Sequence, residues 1–261
     1  MINARRIRYF YILLMVSTTL WSPKLVRAEQ LEAINKSGEI KIGMEGTLPP
    51  FSFHDQYGAL AGFEVELGRE IARRLGVQAN FQEARWDALL MGLDSGRFDV
   101  VIDDVFVTEE RKKSFLFSVP YMASRSVIVT RKSATALRTL EALKGKSTAQ
   151  SEGTVQADTA RKHGASVVYA NDIGTMALLV TQGRVDCMLL SSMEFAGLMK
   201  DHPDLDLKAD AILDLTQYSA VVLPKSAFGL QKAVDTAMTA IRAEGQLSKL
   251  SVKYFGADLT E

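Results

Sequence analysis

The sequence holds a single cysteine in 261 residues, Cys187. An internal disulfide is therefore impossible, and no Cys/His cluster of metal-ligand spacing exists. His54, His163 and His202 are the three histidines, scattered without metal-ligand spacing. There is no phosphate-cradling glycine loop and no G-x-S-x-G turn. Surplus positive charge is missing too, since 31 Lys and Arg balance 31 Asp and Glu. No basic face is left over for nucleic acid. Long apolar runs are also lacking. Phe10 to Leu20 is mostly apolar, but it is shorter than the ~20 residues of a comfortable membrane span.

That short run has informative flanks. Arg5, Arg6 and Arg8 precede it, and Val26 and Ala28 place small residues before Glu29. This is the pattern of a secretory signal over residues 1–28, with a retained anchor as the alternative. No cysteine lies near the expected cleavage point, so a lipid anchor is not indicated. The expected location is the periplasm. Removing the segment takes five of the 31 basic residues and no acid, which leaves 26 against 31 and a net charge of −5. The remaining 233 residues are enough to bury a core without disulfides.

Strand-like and helix-like stretches alternate after residue 38. Glu39 to Met44, Gln78 to Gln82 and Asp99 to Ile102 read as strands. Glu64 to Leu75, with Leu67, Ile71 and Leu75 on one face, and Asp87 to Gly96 read as helices. The pattern restarts with strands at Ser147 to Ala149, Ser166 to Tyr169 and Val185 to Leu190. Helices are expected at Thr139 to Lys144, Thr154 to His163, Asp172 to Gln182 and Met193 to Lys200. The clearest is the last, with Leu230, Val234, Ala237 and Ile241 at helical spacing. This βαβα order favours mainly parallel sheets covered by helices, an α/β fold.

The stretch from Asp99 to Tyr121, DVVIDDVFVTEERKKSFLFSVPY, is the most informative. Thr108 is a plausible N-cap, and Glu109 and Glu110 suit a first turn. Arg111 opposes the helix dipole there unless it turns outward or meets an anion, and its fork matches a carboxylate. Lys112 and Lys113 read as solvent-facing.

The run T-x-x-R, then K-K and F-S-x-P-Y, resembles the periplasmic amino-acid-binding proteins of ABC uptake systems (solute-binding protein family 3). GMEGTLPPFSF, GALAGFEVELGREIARRLG, RWDALLMGLDSGRFDVV and the ending Lys253-Tyr254-Phe255-Gly256 are similar to that family as well. Within it, the cystine and polar amino-acid branch is nearest. The resemblance implies two α/β lobes joined by two crossover strands, with a ligand cleft between them. Residues 29–122 and 218–261 would form lobe 1 and residues 126–213 lobe 2, with hinges near 123–125 and 214–217. It implies delivery of an amino acid or a derivative to a membrane permease, by a monomer with no cofactor, no metal and no catalytic residue. A dehydratase-like enzyme on the same scaffold, with Asp104 or Glu152 as proton donor, and a soluble periplasmic sensor are the alternatives.

The resemblance also implies a set of ligand contacts. Arg111 and the Gly153-Thr154 helix start would face a ligand carboxylate, although Thr154 can simply cap its own helix. Trp86 and Leu48 would form apolar walls, Leu48 standing where the family often has an aromatic. Two positions depart from the family pattern. Ser191 stands where the family has an ammonium-binding Asp. Across the cleft, Asp104 replaces a small or neutral residue, and Phe106 replaces a Thr or Ser. One acid lost and one gained make Asp104 the candidate for the missing charge. A local turn cap by Asp103 or Asp104, and a ligand other than a standard α-amino acid, remain alternatives.

Overall fold

In the computed structural model, residues 23–260 are described, with side chains from Gln30 onward. The expected signal segment lies outside the described residues up to residue 22. Its last residues, 23–28, fall in the first turns of helix α1 (Pro23–Ser37).

After α1 come β1 (Glu39–Met44), the short strands β2 (Thr47–Leu48), β3 (Ser52–His54) and β4 (Leu60–Ala61), α2 (Phe63–Leu75), β5 (Gln78–Glu83), α3 (Trp86–Asp94), β6 (Val100–Val101), α4 (Glu109–Ser114) and β7 (Phe115–Phe117). Strand β8 (Met122–Arg131) carries the chain away. It is followed by β9 (Ser147–Gln150), α5 (Val155–Lys162), β10 (Ser166–Tyr169), α6 (Ile173–Thr181), β11 (Cys187–Ser191) and α7 (Ser192–Asp201). Strand β12 (Leu207–Ser219) brings it back to β13 (Val222–Pro224), α8 (Phe228–Ala243) and α9 (Gln246–Phe255).

Two five-stranded sheets result, ordered β5-β1-β6-β13-β7 and β10-β9-β11-β8-β12. Each is mainly parallel and holds one strand antiparallel to its neighbours, β13 in the first and β8 in the second. Each sheet belongs to one lobe. Strands β8 and β12 pair from Met122↔Ser219 to Arg131↔Leu207 and run between the lobes, with a register shift between Ile212 and Thr216.

The cores follow from periodicity. Leu67 and Ile71 of α2 and Leu230, Val234, Met238 and Ile241 of α8 are buried against Ile40 and Ile42 of β1. Each such side chain contributes about 1.5–3 kcal/mol when fully buried. A second core gathers Val127, Val129, Met176, Val180, Met188 and Leu190. Cys187 is buried among Ile128, Leu143 and Leu189, as a small apolar residue would be.

Several boundaries differ from the sequence reading. The strand expected at Val185 starts at Cys187, because the chain is still turning at Gly183 and Arg184. The helix expected at 139–144 is one 3-10 turn, Glu141–Leu143. The strand expected over Asp99 to Ile102 spans Val100–Val101 alone. The α8 stripe is not the last helix, since α9 follows and ends at Gly256, whose φ of 75° needs a glycine. Strands β8 and β12 lack a regular period of two, β8 because it is buried along most of its length and β12 because its buried and exposed positions follow no alternation.

Candidate ligand-binding cleft

A cleft lies between the lobes, the place where small molecules commonly bind in two-lobed proteins. Leu48, Trp86, Asp104, Phe106, Arg111 and Thr154 all line it.

Local sequence aims Arg111. The Thr108 hydroxyl accepts the Arg111 backbone N–H at 3.1 Å and starts α4. The guanidinium then turns inward instead of opposing the helix dipole. Nη1 donates to the Phe106 carbonyl at 2.8 Å and Nη2 to the Gly153 carbonyl at 3.0 Å. The guanidinium carbon sits 5.4 Å from the Trp86 ring centre, a cation–π arrangement. Burial lowers its pKa to about 10, so it stays charged at neutral pH. Lys112 and Lys113 pair with Glu109 and Glu110 at the surface.

Gly153 meets Arg111 through its carbonyl, and its φ of 75° turns the chain into α5. The Thr154 hydroxyl caps α5, accepting from the Ala157 N–H at 3.1 Å and donating to the Ser151 carbonyl at 2.8 Å. It is the capping reading of Thr154 that describes its hydroxyl. Leu48 and Phe106 are buried walls.

Ser191 is a correction. It is fully buried and does not line the cleft. Ser191-Ser192-Met193-Glu194 forms a capping box, with the Ser191 hydroxyl accepting from the Glu194 N–H at 3.1 Å and the Glu194 carboxylate accepting from the Ser191 N–H at 2.5 Å. The cap draws the hydroxyl away from the cleft, and Glu194 reaches the wall in its place. The S-x-x-E spacing that encodes this box is present in the sequence. Glu152 is absent from the cleft wall and borders a neighbouring hollow with Arg85 and Tyr169.

Asp104 does lie in the cleft, at a φ of 44°, unusual for a residue other than glycine. Its Oδ1 accepts from the Ser219 hydroxyl, and its N–H donates to Glu64 Oε1 at 2.6 Å. Tyr121 donates to that same Glu64 oxygen. Burial, then the charges of Glu194 and Glu64, hold the Asp104 carboxyl well above its usual range. Beside it, Asp103 Oδ1 accepts from the Glu45 N–H at 2.8 Å. Burial pushes the Glu45 and Glu64 carboxyls up to about 7. Glu45, Asp103, Asp172 and Glu194 therefore share the cleft with the residues the sequence reading singled out. Asp172 was readable as the cap of α6, where it accepts from the Thr175 N–H at 2.7 Å.

The lobes touch across the cleft. Besides the Arg111–Gly153 bond, Arg85 donates to Asn171 at 2.8 Å. A side chain at Gly197 of α7 would lie 2.7 Å from the Pro49 carbonyl oxygen.

Residues 40–257 match the model of the bacterial extracellular solute-binding proteins, family 3. This chain belongs to that family. It is 37% identical over 235 residues to the L-cystine-binding protein TcyJ of Escherichia coli K12, covering 88% of each chain. It is 32% identical over 240 residues to a probable amino-acid ABC transporter-binding protein of Haemophilus influenzae, covering 89% of this chain and 91% of that one. Among solved structures, a mutant of ArgBP from T. maritima aligns with a TM-score of 0.82 at 30% identity, over 87% of this chain and 99% of that one. The two-lobe periplasmic-binding-protein fold is thus shared, and these relatives bear the names of binding proteins, one of them of an ABC transporter.

Proposed function

We propose that this family member captures an amino acid or an amino-acid derivative in the interlobe cleft and hands it to the membrane permease of an ABC transporter. The observation that carries the reading is Arg111, a cation held in the cleft against Trp86 while bonded to the facing lobe through the Gly153 carbonyl. A carboxylate entering there meets a charged fork with N–H donors to spare, since two of its five are engaged. Trp86, Leu48 and Phe106 supply apolar walls, and Asp104 supplies a carboxyl that a cationic group of the ligand would ionise. The carbonyl of Gly153 and the cap of Thr154 fix the facing loop, and Ser191 acts through the helix end that delivers Glu194.

The lobes are assigned as 29–122 with 218–261, and 126–213, with hinges near 123–125 and 214–217. Ligand contacts to both lobes would shift the population toward a shut form that the permease recognises. The protein works as a periplasmic monomer after loss of residues 1–28. The relatives' names make L-cystine and L-arginine the first probes. Thermal unfolding should rise with ligand concentration as RT ln(1 + [L]/Kd), and the rise should vanish in Arg111→Ala. A panel of amino acids that leaves the wild-type midpoint unmoved would refute the reading.

A further inference from the structure

The two crossover strands do not lie alone where they meet the first lobe. Ala123 of β8 stands opposite Tyr218 of β12, and Met122 opposite Ser219. On the outer side of β8, the Ala123 N–H donates to the Leu259 carbonyl at 3.1 Å. On the outer side of β12, the Tyr218 carbonyl accepts from the Val107 N–H at 2.9 Å, and Phe106 bridges to Ser219. Four chain segments therefore run side by side: residues 257–260, β8, β12 and residues 105–107. The last of these holds Phe106, which lines the cleft and accepts Arg111 Nη1 at its carbonyl.

Residues 257–260 follow α9 and are anchored from several sides. The buried Ser251 hydroxyl donates to the Ala257 carbonyl at 2.8 Å and accepts from the Leu259 N–H at 3.0 Å. Leu259 packs against the first core. Arg242 of α8 donates through Nη2 to the carbonyls of Thr260 at 3.2 Å and Pro120 at 2.7 Å, which joins this segment to the residues that lead into β8. Asp258 accepts from the Thr260 N–H at 3.1 Å. None of these groups lines the cleft. Ordering such a segment costs backbone entropy, which its bonds and the burial of Leu259 offset.

The middle of the crossover pair is looser. Ile212 pairs with Val127 and Thr216 with Arg125, so residues 213–215 of β12 face Ser126 alone. Such an irregularity bends a strand and interrupts its ladder. Where one part of a ribbon is tied on both edges and the next is irregular, bending concentrates in the irregular part.

We propose that residues 257–260 are a brace that fixes the first-lobe end of both crossover strands, so that the lobes swing about residues 213–215 while Phe106 and Arg111 keep their places. The inference rests on the two-lobe, interlobe-cleft reading above and adds a positioning element remote from the cleft. Without the brace, hinge motion reaches residues 105–107, and the guanidinium is less firmly aimed.

Native-state amide exchange of the ligand-free protein, wild type against Leu259→Asp, tests the inference. The substitution puts a charge where the core takes an apolar side chain, and so unseats the brace. Ala123 loses its partner directly and exchanges faster whatever else happens. The decisive amides are Tyr121 and Val107, which donate to Ser219 and Tyr218 and not to the brace. They should exchange at least about tenfold faster, since local opening sets the rate, while amides of β1 and β11 keep their wild-type rates. Arg242→Met removes the bonds to Thr260 and Pro120 and keeps an unbranched stem. It should give the same pattern with a smaller gain, and it decides the question if Leu259→Asp does not fold. Acceleration confined to Ala123, or spread evenly over both lobes, overturns the brace. No solute enters the measurement, so that outcome leaves the solute-site reading standing, and a failed ligand panel leaves the exchange result standing.

Discussion

The two walls of the cleft use the same residue types for different ends. On the second-lobe wall, carboxylates close helix starts. Asp172 accepts a backbone N–H and the hydroxyl of Thr175, and Glu194 accepts the N–H of Ser191. On the first-lobe wall, Glu45, Asp103 and Asp104 sit at strand ends, above the buried Glu64, with fewer donors than oxygens. Glu64 Oε2 and Asp103 Oδ2 have no partner. Asp172, at a helix start, is stabilised by free N–H groups and the dipole, whereas burial outweighs the same kind of bonds at Glu194, as it does at Asp103 and Asp104 on the strand ends. The first-lobe wall differs in keeping carboxyl oxygens without hydrogen-bond partners, a mark of candidate sites.

Breaking each wall separately should show this contrast. The largest effect is expected at the guanidinium that joins them. Arg111→Ala should weaken binding of a carboxylate ligand by about a hundredfold or more, because truncating a buried, hydrogen-bonded charge costs about 2–5 kcal/mol. Calorimetry would read it, and a loss below threefold would exclude Arg111 as the anchor.

Next comes the linkage of stability to pH. Glu64 has a folded pKa near 7 against an ordinary 4.5. A carboxyl raised on folding binds more protons in the native state, so its stabilising effect is complete below pH 4.5 and is lost as pH rises through 7. The ligand-free protein should lose roughly 3 kcal/mol over that window on account of Glu64, at about 1.4 kcal/mol per unit. In Glu64→Gln the amide oxygen can still accept from Asp104 and Tyr121, so chemical denaturation at pH 5 and pH 8 should show a flatter profile. An unchanged slope would remove Glu64 as its source.

Asp104→Asn is a smaller change. It should weaken a cationic ligand about tenfold, the difference between charge-assisted and neutral hydrogen bonds, with little effect on a neutral one. The closed contact offers a comparable test at a distance from the charges. Gly197→Ala puts a methyl 2.7 Å from the Pro49 oxygen and 2.8 Å from Pro50 Cδ. The melting point should hold while affinity falls, since the new group obstructs closure rather than folding. The smallest effect belongs to the second wall. Asp172→Ala removes one cap, worth about 1 kcal/mol, and a thermal melt should show a drop of a few degrees without a pH slope.

Much of the fold was legible because periodicity is a local signal. Strands Glu39–Met44 and Ser166–Tyr169 have the bounds their residues suggested, and α2 starts one residue earlier than expected. Helix caps were legible for the same reason: Thr108 and Thr154 each bond within three residues. The crossover strands followed from the family resemblance and not from periodicity, and the acidic neighbours of Asp104 followed from neither. Glu45 and Asp103 are 58 residues apart, and Asp104 meets Glu64 across 40. Nothing within a single window places such groups together. Glu64 is the first residue of the helix expected from periodicity, and only packing shows it fully buried.

The sequence by itself determined the alternation of strands and helices, the two buried stripes and the family, because each is written in residue order and short-range spacing. Tertiary structure alone decided that Ser191 turns away while Glu194 and the Glu45–Asp103–Asp104 group face the cleft. That decision depends on which chain segments meet when apolar surfaces close together, and the cost of burying a charge exists only after they have met.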